Sequence, residues 1–390
     1  MIGKFDWNLV FLKKNPFDLT PPTEAEQIVW AGMKQVKQRF EEVFEVALSD
    51  SATQVILNQG PWGGGKTHAS LYFRNKENLP QSLAGKDRFF QINVCVPKEL
   101  GKPAEDLYID ILDTLGMRHV HRIIRDAIGN LSEDETLDLL HRVLDSEELA
   151  RAFWLLGTEQ ANENQALLRS YFLEGVTRAE LRKLGIARNI TKSQDRFRVL
   201  AGILQCLIGL DSHRETFYPS RVCLWIDEME DLIYLTSAQF RIVSQGLRDM
   251  IDRLPNYFTL CLNMTLADPE EYEDLETILG GALLDRVTDV IYFPELEVDE
   301  AIEYVEELLK HPQYRDGSLP EQLPLTYPFD PTALQMLLEG LEKKTPRNIN
   351  KRCRNAINTA LGDEHFEVGK SIIDPAYVIK IEKNELDRET

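Results

Sequence analysis

The chain has no run of the roughly eighteen uncharged apolar residues that a membrane-spanning helix needs, and its start, Met1-Ile2-Gly3-Lys4-Phe5-Asp6-Trp7, holds no signal-peptide core. A cytoplasmic protein without a membrane partner is expected. Cysteine is scarce: the five residues Cys95, Cys206, Cys223, Cys261 and Cys353 are scattered, odd in number and set mostly in apolar runs. That pattern excludes zinc spacing and a disulfide framework, and reads as reduced thiols. Positive charge is also short, with 44 Lys and Arg against 64 Asp and Glu, a net −20 at pH 7. A field of that sign repels phosphates and excludes a surface that binds nucleic acid indiscriminately, leaving only local basic strips. The 390 residues suffice for two or three domains with ample core.

Against these absences stands one dense motif. Val55-Ile56-Leu57-Asn58-Gln59 reads as a strand and runs into Gly60-Pro61-Trp62-Gly63-Gly64-Gly65-Lys66-Thr67, followed by His68, which satisfies the phosphate-loop pattern G-x-x-x-x-G-K-[ST]. Glycines let successive backbone N–H groups turn inward on phosphate oxygens, Lys66 adds a point charge, and the Thr67 hydroxyl is placed to ligate Mg²⁺. A helix beginning at Lys66 adds its positive dipole end. A second motif follows far downstream, where the apolar run Val222-Cys223-Leu224-Trp225-Ile226 ends in Asp227-Glu228. An acidic pair at the carboxyl end of a buried parallel strand sits at a nucleotide crevice, with Asp227 on the Mg²⁺ hydration shell and Glu228 polarising an attacking water. The bland alternative to the first motif is a glycine-rich turn that matches by accident, and the second alone reads equally as an acidic helix start; together they predict ATP hydrolysis.

The organisation expected is α/β: a parallel sheet flanked by helices, with strands at 53–58, 89–96, 221–226, 257–263 and 290–293. Residues 1–52 form an extended lead-in and a helix capped by Thr23 and running to about Leu48; 53–97 and 215–295 form the nucleotide-binding core. Segments near 103–116, 119–129, 133–144, 147–156, 163–174 and 192–209 carry helical periodicity, so 98–214 reads as an all-helical insertion. It holds two basic segments, Arg118 to Arg125 and Arg178 to Arg198, which read as solvated helix faces or as a docking surface for a polyanion. Helices are expected at 236–253, 298–310, 330–341, 346–361 and near 374–383; 296–362 forms a helical lid and 363–390 a tail.

In that order of motifs the chain resembles the AAA+ ATPases over residues 15–360. The resemblance implies particular roles. Asn263, closing the strand beside the acidic one, stands at the family's sensor 1 position. Arg286, in Leu283-Leu284-Asp285-Arg286-Val287, resembles an arginine finger reaching a neighbouring subunit's nucleotide, and Arg347, in Thr345-Pro346-Arg347-Asn348-Ile349, resembles the sensor 2 contact to the γ-phosphate. Asn93 resembles the polar residue that restrains the catalytic glutamate. Within the superfamily the chain is similar to the replication-initiator branch, and more closely to the ATP-binding proteins of BREX-type bacterial phage-defence systems. That similarity rests on Asn15-Pro16-Phe17, Gly60 to His68, Leu181-Arg182-Lys183-Leu184-Gly185-Ile186 and Leu224 to Asp231. A homo-oligomer, ring or filament, and other proteins of a multi-component system are the partners it implies. Initiators carry a winged-helix domain after the lid, whereas only a short tail follows Leu361 here, so nucleic acid is expected to be met through the insertion, ring-interior loops or a partner. Two function classes compete: an ATPase whose hydrolysis drives assembly or loading on nucleic acid, and a nucleotide-gated scaffold whose partner does the chemistry. A P-loop kinase suits the Asp227-Glu228 pair and the arginine-bearing lid less well.

Overall fold

A computed structural model describes residues 6–20, 24–80, 88–97, 101–129, 131–158, 162–210, 219–266, 272–317, 319–363, 365–367 and 371–381. The expected Thr23 cap and the end of the 374–383 segment lie outside the described residues; a helix covers 375–381. Five strands, β1 Gln54–Gly60, β2 Phe89–Cys95, β3 Arg221–Asp227, β4 Phe258–Thr265 and β5 Asp289–Tyr292, form one parallel sheet in the order β2-β3-β4-β1-β5. Each coincides with a run expected from sequence. Cys95 stands opposite Asp227 and Ile226 opposite Leu262, so the carboxyl ends of β2, β3 and β4 come out along one edge. The described chain divides into two compact units, Glu41–Gln59 with Leu79–Ile291, and Met1–Phe40 with Gly60–Asn78 and Tyr292–Thr390.

The larger unit holds most of the sheet and a helical block between β2 and β3: α3 Pro103–Leu115, α4 Met117–Ile128, α5 Glu133–Leu144, α6 Glu147–Thr158, α7 Asn162–Leu173, α8 Arg178–Leu184 and α9 Ser193–Ile208. One face of the sheet (Leu57, Ile92, Val94, Leu224, Ile226, Leu260, Leu262) packs into the same apolar core as these helices. The other carries Trp225, which packs edge-on to Phe44 at 6.0 Å and donates its indole N–H to Gln91 Oε1 at 2.9 Å, so its one polar atom is buried at no unsatisfied cost. Cys223 and Cys261 lie side by side there, sulfurs 3.5 Å apart, as free thiols. After β3 come α10 Ser237–Arg253, α11 Tyr272–Leu279 and α12 Gly281–Leu284. α10 starts where Thr236 and Gln239 close a reciprocal capping box.

The smaller unit holds the phosphate-loop helix α2 Lys66–Arg74 and packs the N-terminal lead-in with the lid helices α13 Val298–Lys310, α14 Pro331–Glu339 and α15 Pro346–Leu361 around its own apolar core. Asn350, Arg354 and Asn358, one turn apart on α15, grip the lead-in: Asn350 donates to Asp18 O at 2.8 Å, Arg354 to Phe17 O at 3.0 Å, and Asn358 Oδ1 accepts from Asn15 Nδ2 at 3.4 Å. The first long helix departs from expectation. A 3₁₀ turn, Ala25–Gln27, comes first and α1 spans Lys34–Ser49, because Gly32 (φ 56°) and Met33 (φ 46°) turn the chain left-handed just before it.

Candidate functional site

In the smaller unit the phosphate loop closes on itself and on the lid. Lys66 is 7 % exposed and its ammonium donates to Gly60 O at 2.8 Å and Pro61 O at 3.0 Å, which holds the charge over the loop. Gly64 N–H donates to Pro61 O at 3.1 Å, and α2 begins after Gly65 with no side-chain cap on its first N–H groups. Two glycines are required by space. A Cβ on Gly60 would lie 2.4 Å from Phe293 O; Gly63 has φ 78° and its Cβ would lie 2.8 Å from Arg347 Cβ. That second closeness reports the lid: Arg347, at the start of α15 behind the cap residue Thr345, donates its backbone N–H to Gly63 O at 3.3 Å, and its guanidinium carbon stands 5.9 Å from the Trp62 ring centre. Trp62 is 69 % exposed, so Arg347 rests on an aromatic face open to water. A buried lysine, a helix start without a side-chain cap and an arginine held over the loop form a donor set that fits a triphosphate.

The remaining loop residues divide. Thr67 is exposed at the first turn of α2. The imidazole of His68 turns instead to the lead-in, with Nε2 2.9 Å from Val29 O and the ring against Trp30 at 6.4 Å. Desolvation lowers its pKa, the Val29 carbonyl opposing in part, so it is neutral at pH 7 and serves packing.

In the larger unit, Asp227 ends β3 and Glu228 follows in a left-handed conformation, φ 61° and ψ 37°, its N–H donating to Asp227 Oδ1 at 2.9 Å. Such a backbone costs a non-glycine residue on the order of 1 kcal/mol or more and concentrates at functional positions. Glu230 accepts from Thr265 N–H at 2.9 Å, tying the end of β4 to the turn after β3. Asn263 is fully buried, and since Ile226 pairs with Leu262, Asn263 and Asp227 come next on adjacent strands. Its Oδ1 accepts from Asn58 Nδ2 at 2.8 Å, while its own Nδ2 has no hydrogen-bond partner among the described residues. Asn93, in register with Trp225, likewise has an Oδ1 without a partner there. Asp227, Glu228, Asn263 and Asn93 thus lie toward the carboxyl edge of the sheet.

Arg286 is placed apart from this group. It makes a bidentate pair with Asp252, Nε to Oδ1 and Nη2 to Oδ2 both at 2.8 Å, and donates from Nη1 to Ala282 O at 2.7 Å; its hydrogen bonds to the Asp252 carboxylate raise its pKa further. Asp252 and Asn58 are the residues that sequence reasoning missed. Asn58 had a signal, a polar residue inside an apolar strand, whereas Asp252, on α10, had none. In the insertion, the second basic segment is tied into the chain at its end, where Arg196 pairs with Glu105 at 2.8 Å, and Arg198 with Asp145 at 3.0 Å and Asp195 at 3.4 Å, while Arg178, Arg182, Lys183, Arg188 and Lys192 are exposed. Arg118, Arg122 and Arg125 of the first lie exposed on one face of α4.

No protein-family model and no curated protein matches the sequence. Solved structures do. Over 97 % of this chain and 75 % of the other, the fold is similar to that of the Aeropyrum pernix ORC2 protein in its ADPNP-ADP complexes, at 10 % identity and a TM-score of 0.51. The Aeropyrum pernix ORC1 protein in complex with DNA matches 97 % of this chain and 70 % of its own at 15 % identity and 0.49, and a Walker-type ATPase of Pyrococcus abyssi 96 % and 78 % at 13 % and 0.46. The first likeness carries the fold: a five-stranded parallel sheet flanked by helices, shared with that protein over most of both chains. Among the described residues no helix is long and apolar enough to cross a membrane.

Proposed function

We propose that this chain is an ATPase that binds ATP on the Gly60–Thr67 loop and hydrolyses it in an oligomer, so that nucleotide state drives or gates assembly of a multi-protein, DNA-handling complex. The observation that carries the reading is the buried Lys66 in a glycine loop that opens α2, with Arg347 held over the same loop. Lys66 and the backbone N–H groups of the loop bind the β- and γ-phosphates, and Arg347 takes the γ-phosphate as it leaves Trp62. Thr67 and Asp227 would hold Mg²⁺, which when bound offsets the charge of the phosphates. Glu228 orients the attacking water and accepts its proton, Asn93 restrains Glu228, and Asn263 donates to the water or to a γ-phosphate oxygen. Arg286 of a neighbouring subunit stabilises the charge that develops on the transferred group. The phage-defence setting and the other proteins of such a system rest on the resemblance of the loop, lead-in and acidic-strand motifs to BREX ATP-binding proteins. For a polyanion met directly by this chain, the exposed basic residues of the insertion are Arg118, Arg122 and Arg125 of α4 and Arg178, Arg182, Lys183, Arg188 and Lys192 of the second segment.

A second reading, a nucleotide-gated scaffold with slow turnover, is favoured by one observation: Arg286 is held by Asp252 within its own chain. Mixing separates the two. Subunits carrying Glu228→Gln and subunits carrying Arg286→Ala are each inactive alone on the ATPase reading, but interfaces with one intact residue from each recover part of the activity. Assembly of the mixture without recovered hydrolysis would favour the scaffold.

A further inference from the structure

Asn58 stands two residues before the phosphate loop, on a strand otherwise apolar from Val55 to Leu57, and is fully buried. A buried amide on such a strand costs stability unless it is hydrogen-bonded. Its Nδ2 donates to Asn263 Oδ1 at 2.8 Å, from β1 to the adjacent β4, and in this pairing the carbonyl oxygen of Asn263 faces Asn58. With its carbonyl oxygen engaged, Asn263 presents its N–H₂ group, which is buried and, like Asn58 Oδ1 at the other end of the pair, has no other partner among the described residues. In the reverse sense, Asn263 donating to Asn58, the outer group of Asn263 would be a carbonyl oxygen, which repels an anion and has no proton to donate to it.

We propose that Asn58 is a positioning residue that holds the amide of Asn263 with its N–H₂ group toward the reacting water and γ-phosphate. This deepens the function proposed above and rests on the role given there to Asn263. The donor must come from position 58; any side chain that only accepts there turns Asn263 over.

Steady-state ATPase across pH tests it. In Asn58→Asp, of equal shape, a protonated carboxyl donates as the amide does, while the ionised form only accepts; burial raises the pKa of such a group, bringing the change into the measurable range. Turnover should stay near wild type at low pH and fall about 10²- to 10³-fold as pH rises through that pKa, the loss typical of one misdirected transition-state donor. Wild type should show no such decline, and ATP affinity should hold in both. Asn58→Thr and Asn58→Val repeat the comparison without a buried charge: the hydroxyl donates, the methyl does not, so only Asn58→Val should lose kcat at constant affinity. Asn263→Ala reports separately, and should be slow at every pH. Equal turnover in the Thr and Val variants with no pH dependence in Asn58→Asp, beside a slow Asn263→Ala, overturns this proposal alone. A fast Asn263→Ala overturns the role of Asn263 and the proposal with it.

Discussion

Replacing Asp252 by alanine removes the carboxylate that keeps Arg286 at home. Both carboxylate oxygens are engaged, each at 2.8 Å, yet the Asp252 side chain is 48 % exposed and that of Arg286 30 % exposed. A pair this open to water contributes about 1 kcal/mol at most, because the surrounding solvent screens it. If Arg286 must leave Asp252 to reach a neighbour's γ-phosphate, that contribution opposes the trans contact and corresponds to about a five-fold factor in population. Asp252→Ala is therefore expected to raise the turnover of the assembled protein up to about five-fold, with fold stability lowered by no more than about 1 kcal/mol. The assay is steady-state ATPase above the assembly concentration for wild type, Asp252→Ala, Arg286→Ala and the double variant. The double variant should match Arg286→Ala, since the gain runs through the arginine. A gain that survives loss of Arg286, or a fall in Asp252→Ala, refutes the reasoning.

Gly63→Ala forces a side chain into a left-handed backbone and to 2.8 Å from Arg347 Cβ, so ATP affinity should drop about ten-fold or more by titration, for a backbone cost of about 1–2 kcal/mol before the clash; unchanged affinity would mean that the loop and the start of α15 move apart freely. Alkaline pH should unfold the protein, because burial, assisted by Asp18 and Asp363, pushes the hydroxyls of Tyr314 and Tyr377 up to about 12. A folded-state pKa above the unfolded value of about 10 means stability that is full below pH 10 and lost as pH rises toward 12, so Tm should fall across that window; a flat Tm would contradict it.

Much of the fold was legible because its signals are local. The loop motif, the apolar runs of β3 and β4, and the periodic helices from α3 to α7 each state their own structure over one window of sequence. α8 escaped, although Thr177 and Glu180 form a capping box there, because seven residues are too few for a period to appear. The start of α1 escaped for another reason: the turn at Gly32 is held by Trp30 donating to Gly32 O at 2.9 Å and by Glu307 of the lid accepting from Gly32 N–H at 2.7 Å, and the latter partner is far away in sequence. The site divides along the same line. Lys66, Asp227 and Glu228 are announced by motif, whereas the Asn58–Asn263 and Arg286–Asp252 pairs join separate elements, and next to Arg286 the sequence shows only Asp285.

The central claim is that the Gly60–Thr67 loop holds the phosphates of ATP through Lys66, and calorimetric titration of ATP with Mg²⁺ into wild type and Lys66→Ala tests it most directly. Lys66 is buried and its ammonium caps the loop carbonyls, so its loss removes the charge nearest the phosphates; wild type should bind and the variant should not, while both keep the same circular dichroism spectrum. Equal affinity in the two folded proteins would contradict the account.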